Sequence, residues 1–324
     1  MHDPNQIEMA TLNQLVPGDH PYRKILDLVD FERLCEPIAD LANTGRGAKG
    51  FGVTTLFQCL LLQFMEDLSD RELQRYLQEN IAAKFFCGFG LADRTPDYSL
   101  FTKARSRIGT KRLSDLFATL RDQLKAKGWV SDVFTFVDAT HLISKAKLWQ
   151  ERDTAIAAGY EKLNNEVLPK VAADKDARIG CKGKDKFWYG YKQHTSVDMR
   201  SGLIRKVAIT AAHVSDASGL KHVCPRGGAV YGDKGYCVST AQRELARRGC
   251  HDGCIKRNNM KGKDRDKDRW ISSVRAPFER VFSKRNPRVR YRGRVKNQFA
   301  AFMNALGFNL KRLLVLEADP LWEA

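Results

Sequence analysis

Three acidic side chains stand where oxygen-ligand chemistry could be done. Asp138 sits in the middle of FTFVDATHL (Phe134 to Leu142), a run of apolar and β-branched residue types. Asp233 follows the short apolar run Gly228 to Gly232, and Glu279 lies in the basic stretch that begins Arg275-Ala-Pro-Phe278. An ionised carboxylate on a buried strand is costly unless it is paired or holds a metal. Taken alone, Asp138 reads as readily as a strand-end residue that caps a loop or meets a lysine, so the case for function rests on its partners. Carboxylates suit Mg²⁺ or Mn²⁺, which take oxygen ligands and keep some of their waters. Two such ions about 3.5–4 Å apart can activate a water or a 3′-hydroxyl and stabilise the leaving oxygen of an in-line phosphoryl displacement.

The elements that must position these acids follow from the pattern. Phe134 to Leu142 reads as a strand covered on both faces, with Phe134, Phe136, Asp138 and Thr140 on one of them. A polar, Lys-rich interval, Ser144 to Lys184, reads as an insertion with a helical patch near Asp153 to Leu168. Phe187 to Asp198 and Leu203 to Thr210 make a β-hairpin around Gly202. His213 to Val223 is predicted as a helix, Gly228 to Gly232 as a strand, Ser239 to Arg248 as a helix ended by Gly249, and Cys250 to Ile255 as a last strand. A helix then opens near Pro277, Pro being well tolerated in a first turn, and Pro287 stops it. A final amphipathic helix covers Asn297 to Leu316.

Upstream, residues 1–127 read as helical. Periodicity runs from Pro21 to Leu41 with a break at Pro37. The Gly-rich Thr44 to Gly52 is a linker, since it lacks the Gly-Lys-Ser/Thr ending of a phosphate loop. Val53 to Leu68 is apolar almost all round and reads as a buried helix. Ser69 to Glu72 has capping-box spacing, and Phe85, Phe86 and Phe89 read as core. Asp97 to Gly109 forms a short helix with Lys103, Arg105 and Arg107 on its polar side, followed by a second from Lys111 to Lys127. A DNA-reading module and a purely structural bundle both fit.

The 324 residues carry a formal charge of +17, a field that attracts polyanions, nucleic acid first among them. Between Lys256 and Lys296 stand 16 Lys and Arg against 4 Asp and Glu, so an eighth of the chain holds most of the excess. Eight scattered cysteines are reduced usage and not a disulfide framework. The Cys250-His251-x-x-Cys254 group has no second pair to complete a zinc site. No signal sequence is evident and no apolar run approaches transmembrane length, which leads to the expectation of a cytosolic or nucleoid-associated protein without a membrane partner.

VDAT around Asp138, VYGDKGY around Asp233 and RAPFERVFSKRNPRVRYRG from Arg275 to Gly293 resemble the three signatures of bacterial insertion-sequence DDE transposases. The match is nearest the insertion-sequence-five group and spans about Leu15 to Leu316. The resemblance implies an α/β RNase H-like mixed sheet flanked by helices, preceded by an all-α domain. On that basis residues 1–127 would be a helical domain for DNA-end binding or dimerisation. Residues 128–324 would be the catalytic domain, with its insertion at about 144–184. Asp138, Asp233 and Glu279 would be the catalytic metal ligands for two Mg²⁺ or Mn²⁺ ions, Glu244 being the alternative third acid. Two departures touch Glu279: Ser272 stands where relatives carry a Tyr, and Arg275-Ala-Pro-Phe278 replaces a His-Pro-Phe that follows the Glu in many of them.

The implied reaction is nicking at the element's ends by activated water, then attack of the freed 3′-hydroxyl on target DNA. It implies a homodimer pairing two ends, with no small-molecule substrate. Candidate DNA contacts are Arg275, Lys284 and Arg285 near the Glu, Arg290 and Arg292 beyond them, Lys234 beside Asp233, and Lys182, Lys184, Lys192 and His194 along the neighbouring strand. Contacts of this kind bind phosphates without reading sequence. Two alternatives stay open: a transposase-derived DNA-binding protein that has lost catalysis, and a general RNase H-like nuclease.

Overall fold

The computed structural model describes residues 9–42, 50–183, 185–273 and 287–319. Lys184, Arg275, Glu279, Lys284 and Arg285 lie outside the described residues, as does most of the Gly-rich linker. Two compact units make up the chain: Met1–Gln123 with Leu306–Ala324, and Leu124–Ala305.

The first unit is helical: α1 (Leu12–Leu15), α2 (Pro21–Leu28), α3 (Phe31–Cys35) with a 3-10 turn over Glu36–Leu41, α4 (Val53–Met65), α5 (Asp70–Glu79), α6 (Ile81–Phe86) and α7 (Tyr98–Ala126). The run from Pro21 breaks at Val29, earlier than Pro37, because the Asp30 side chain accepts the Arg33 amide and starts α3 afresh. In α4 every residue from Phe57 to Met65 is buried, as an all-round apolar helix must be. Ser69 and Glu72 close a reciprocal capping box on α5. Gly109, at φ 65°, interrupts α7 where one short helix gives way to the next.

The basic face expected on Asp97 to Gly109 is largely committed inside this unit. Arg105 grips Asp70 in a two-pronged ion pair, at 2.8 and 2.5 Å, and also reaches Gln63. Arg107 donates to the Leu41 carbonyl at 2.7 Å. These cations fasten helices together.

The second unit is built on a six-stranded mixed sheet: β1 (Phe134–Ile143), β2 (Arg178–Lys182), β3 (Lys186–Asp198), β4 (Ile204–Ala211), β5 (Ala229–Tyr231) and β6 (His251–Asp252). The order is β2-β3-β1-β5-β6, with β4 also on β3. β1 pairs antiparallel with β3 and parallel with β5, and β5 pairs parallel with β6. Along the chain lie α8 (Leu148–Ala157), α9 (Leu168–Val171), α10 (Asp216–Val223), α11 (Ser239–Arg247), α12 (described over residues 265–273) and α13 (Arg294–Glu317). Phe136 and Val137, which point to opposite faces of β1, are both buried, so this strand is covered on both sides. Val137, Val230, Leu220, Val223, Tyr236 and Leu245 form a core shared by β1, β5, α10 and α11.

Three readings of the sequence need correction. The interval 144–184 is not only an insertion, since Arg178–Lys182 is a strand that pairs antiparallel with β3. Residues 265–273, read only as part of the basic segment, are helical, because Asp264 accepts the amides of Asp266 and Lys267 and caps them, while the helix expected to open near Pro277 lies outside the described residues. One run does reach transmembrane length: α13 is long and apolar enough by composition, but 61% of that apolar window is buried within the protein.

Candidate functional site

Strand register brings together the stretches that lead to the two aspartates. β1 and β5 run parallel with Phe134 opposite Ala229, Thr135 opposite Val230 and Phe136 opposite Tyr231. Two residues beyond the last of these pairs stand Asp138, still on β1, and Asp233, just past the end of β5, 95 positions apart in the chain. Neighbouring strands lie about 4.8 Å apart, so the pairing brings the two stretches of backbone that lead to these aspartates side by side. Both residues are half-buried. Each carboxylate is steered by its own backbone: Asp138 Oδ1 accepts the Ala139 amide at 2.8 Å, and Asp233 Oδ1 accepts the Gly235 amide at 2.8 Å. Tyr236, buried just beyond Asp233, feels both charges: its hydroxyl pKa is pushed far up by burial and by Asp138, Asp216 and Asp233.

Two oxygen-donor side chains at a half-exposed sheet position fit a divalent cation. Among the described residues no three His, Cys, Asp or Glu are grouped closely enough to hold one. Among the described residues no third group of this kind joins Asp138 and Asp233. Glu244 does not supply it. Its carboxylate is bound by Arg247 and Arg248, at 2.6 to 2.9 Å. Chiefly through the Arg247 hydrogen bond, its pKa is held down to about 2. That is a charge engaged within α11.

The described residues on either side of 274–286 are tied to the strands that bear Asp138 or lead into Asp233. On the near side, the ring of Trp270 in α12 lies 6.1 Å from that of Tyr231, two residues before Asp233. On the far side, Ile143 at the end of β1 donates to the Pro287 carbonyl at 2.7 Å and accepts from the Val289 amide at 2.8 Å. Asp174 secures the same region, accepting from Ser144 Oγ, Tyr191 Oη and the Gly293 amide.

The basic candidates fall into different surroundings. Lys234 is exposed and its ammonium reaches Asn258 at 3.2 Å. Lys182 is exposed at the end of β2, Arg292 is exposed and Arg290 half-buried in the loop before α13. His194, read as a member of the DNA track, is instead fully buried. It bonds Thr210 at 2.8 Å and presses on Gly219, where an added Cβ would meet the imidazole at 2.0 Å. Burial first, then Lys192 and His222, hold its pKa down to about 3. A ring with no exposed atom has nothing to offer a phosphate; strand alternation does not reveal which face a helix will cover.

One acid escaped the sequence reading. Asp216, the first residue of α10, has its Oδ1 2.9 Å from the ammonium of Lys192. Its signal was Ser215-Asp216 opening a helix at the carboxyl end of β4, which reads as ordinary helix capping.

Residues 131–310 match the family described as the transposase DDE domain, and residues 10–107 match one described as a transposase domain. The transposase for insertion sequence element IS1106 of Neisseria meningitidis serogroup B is 30% identical to this chain over 213 residues, which cover 61% of this chain and 72% of that protein.

Proposed function

The chain belongs to the transposase DDE family, and from that premise we propose that Asp138, Asp233 and Glu279 together hold two Mg²⁺ or Mn²⁺ ions against the phosphodiester at a transposon end. As a member of that family it is a transposase that acts on DNA, has an RNase H-like catalytic fold, and works with divalent metal ions. When bound, such ions activate a water or 3′-hydroxyl and stabilise the leaving oxygen. The protein's part is to present carboxylates at fixed spacing, to screen the phosphates, and to keep the end in line for displacement.

The observation that carries the reading is the β1–β5 register, which runs the two stretches leading to Asp138 and Asp233 side by side. The assignment of Glu279 is supported by the tethers on either side of it, Pro287 to Ile143 on the strand that bears Asp138 and Trp270 to Tyr231 on the strand that leads into Asp233. Lys234, Lys182, Arg290 and Arg292, with Lys184, Arg275, Lys284 and Arg285, are the proposed phosphate contacts. In this reading the helical region binds the terminal inverted repeats or a second copy of the chain. Two copies pair two ends, and each nicked end then attacks target DNA within the nucleoid.

The test is cleavage of linear DNA bearing the element's ends in Mg²⁺ or Mn²⁺. The expected result is metal-dependent nicking at the repeat boundary by the parent protein and none by Asp138→Ala. Cutting that ignores the terminal sequence would instead make it a general nuclease. Tight end binding by the parent protein without any cutting would make it a transposase-derived binding protein.

A further inference from the structure

Beside the Asp233 turn lies a second group of polar side chains with no part in the reading above. Asp216 Oδ1 is 2.9 Å from Lys192 Nζ, in a geometry that makes an ion-pair contact and not a directed hydrogen bond. The Lys192 side chain is only 11% exposed, so its charge needs that partner. The other oxygen of Asp216 borders the Asp233 turn. A Cβ placed on Gly235 would stand 3.7 Å from Asp216 Oδ2 and 2.9 Å from Asp233 Oδ1, so residue 235 is wedged between the two carboxylates. The next residue, Tyr236, is 1% exposed, and its hydroxyl has no hydrogen-bond partner among the described residues. Buried hydroxyls nearly always have one. Besides burial, the charges of Asp138, Asp216, Asp233 and Cys254 bear on this hydroxyl.

We propose that Lys192, Asp216 and Tyr236 form a positioning layer that holds the Asp138–Asp233 pair in register for metal. The inference rests on the assignment of those two aspartates as ligands. Carboxylates on adjacent strands repel, and a third acid beside them would spread the pair further. Lys192 neutralises that third charge, which lets Asp216 brace the Gly235 turn. The Tyr236 hydroxyl is a buried, unpartnered neutral donor that can steady a carboxylate turning toward it. Groups behind metal ligands typically matter 10–100-fold in metal affinity.

The test measures Mn²⁺ affinity of the full-length protein by electron paramagnetic resonance, beside DNA-end cleavage and metal-free thermal melting. Tyr236→Phe keeps the ring and removes only the hydroxyl. Lys192→Met with Asp216→Leu replaces the ion pair by apolar groups of similar size, and avoids leaving a buried charge alone. Both are expected to bind Mn²⁺ about 10–100-fold more weakly, while Tyr236→Phe melts no lower than the parent. Mn²⁺ affinities within twofold of the parent in both variants would overturn the proposal. Asp138→Ala separates the two failures. If it loses Mn²⁺ while Tyr236→Phe and the double variant keep it, only the positioning layer falls; if it binds and cuts like the parent, the ligand assignment falls as well.

Discussion

At the amino end of β1, Asp198 is fully buried and its carboxylate accepts from the amides of Ser131, Arg200 and Ser201 and from Ser201 Oγ, at 2.8 to 3.0 Å. Beside it, the buried Arg205 binds both Asp132 and the Thr135 hydroxyl. Further along β1 and just past β5, Asp138 and Asp233 sit half-exposed, each accepting a backbone amide from a residue one or two positions on. Both regions place acids on or beside one strand, but the first buries its charge among protein donors and the second presents it at the surface. The difference is between an acid committed to the fold and two acids left partly open to solvent. Apolar flanks alone do not separate them, because Asp138 and Asp198 are both preceded by valine in an extended run.

The comparison can be broken most forcefully at the second region. Asp233→Asn removes a ligand charge worth several kcal/mol to the transition state, so end cleavage should fall on the order of 10³-fold. Thermal midpoint and DNA affinity should stay at the parent's values, since relief of repulsion from Asp138 offsets any lost turn contact. A large fall in melting temperature would instead place Asp233 among the structural acids.

Asp198→Asn should do the reverse. It leaves several buried donors facing a neutral amide, and the expected loss is about 3 kcal/mol of stability in denaturant titration. Cleavage per folded molecule should be unchanged. An Asp198→Asn protein that melts normally would mean that burial with donors does not mark a structural acid here.

His194 sharpens the comparison at smaller scale, as a titratable group near the metal-facing end that serves the core. Its folded pKa of about 3 lies below the ordinary value near 6.5, so between those limits the unfolded chain holds the extra proton. Stability should therefore decline as pH falls from 6.5 toward 3, approaching about 1.4 kcal/mol per pH unit from this group. Melting curves of the parent and His194→Gln across that range measure it. An unchanged slope in the variant would show that the ring does not titrate as a buried neutral group. Gly219→Ala should cost about 2 kcal/mol by pushing a methyl into the same ring.

Much of this arrangement was legible in the chain. The strand at Phe134, the hairpin around Gly202, the capping box at Ser69 and the helix break at Gly109 each follow from a local rule, and each stands where that rule places it. β2 escaped because Arg-Ile-Gly-Cys-Lys is a short, mostly polar edge strand, held by β3 and not by its own pattern. α12 escaped because its start is written in charged residues, with Asp264 acting as a cap inside a run that reads as loop. The Lys192–Asp216 pair was beyond reach in principle, since it joins the middle of β3 to the start of α10 across a hairpin and a turn. Arg105 and His194 share one lesson: a polar residue type does not say whether its partner will be a ligand or the protein itself.

The central claim, that acids at 138, 233 and 279 meet around bound divalent ions, is tested most directly by iron-directed hydroxyl-radical cleavage of the polypeptide. Fe²⁺ is exchanged into the protein in place of Mn²⁺ and the fragments are mapped by mass. The account predicts cuts clustered beside Asp138, Asp233 and Glu279, all suppressed by excess Mn²⁺ and all lost in Asp138→Ala. Cuts beside the two aspartates with none near Glu279, and a third cluster at another acid such as Glu244, would contradict it.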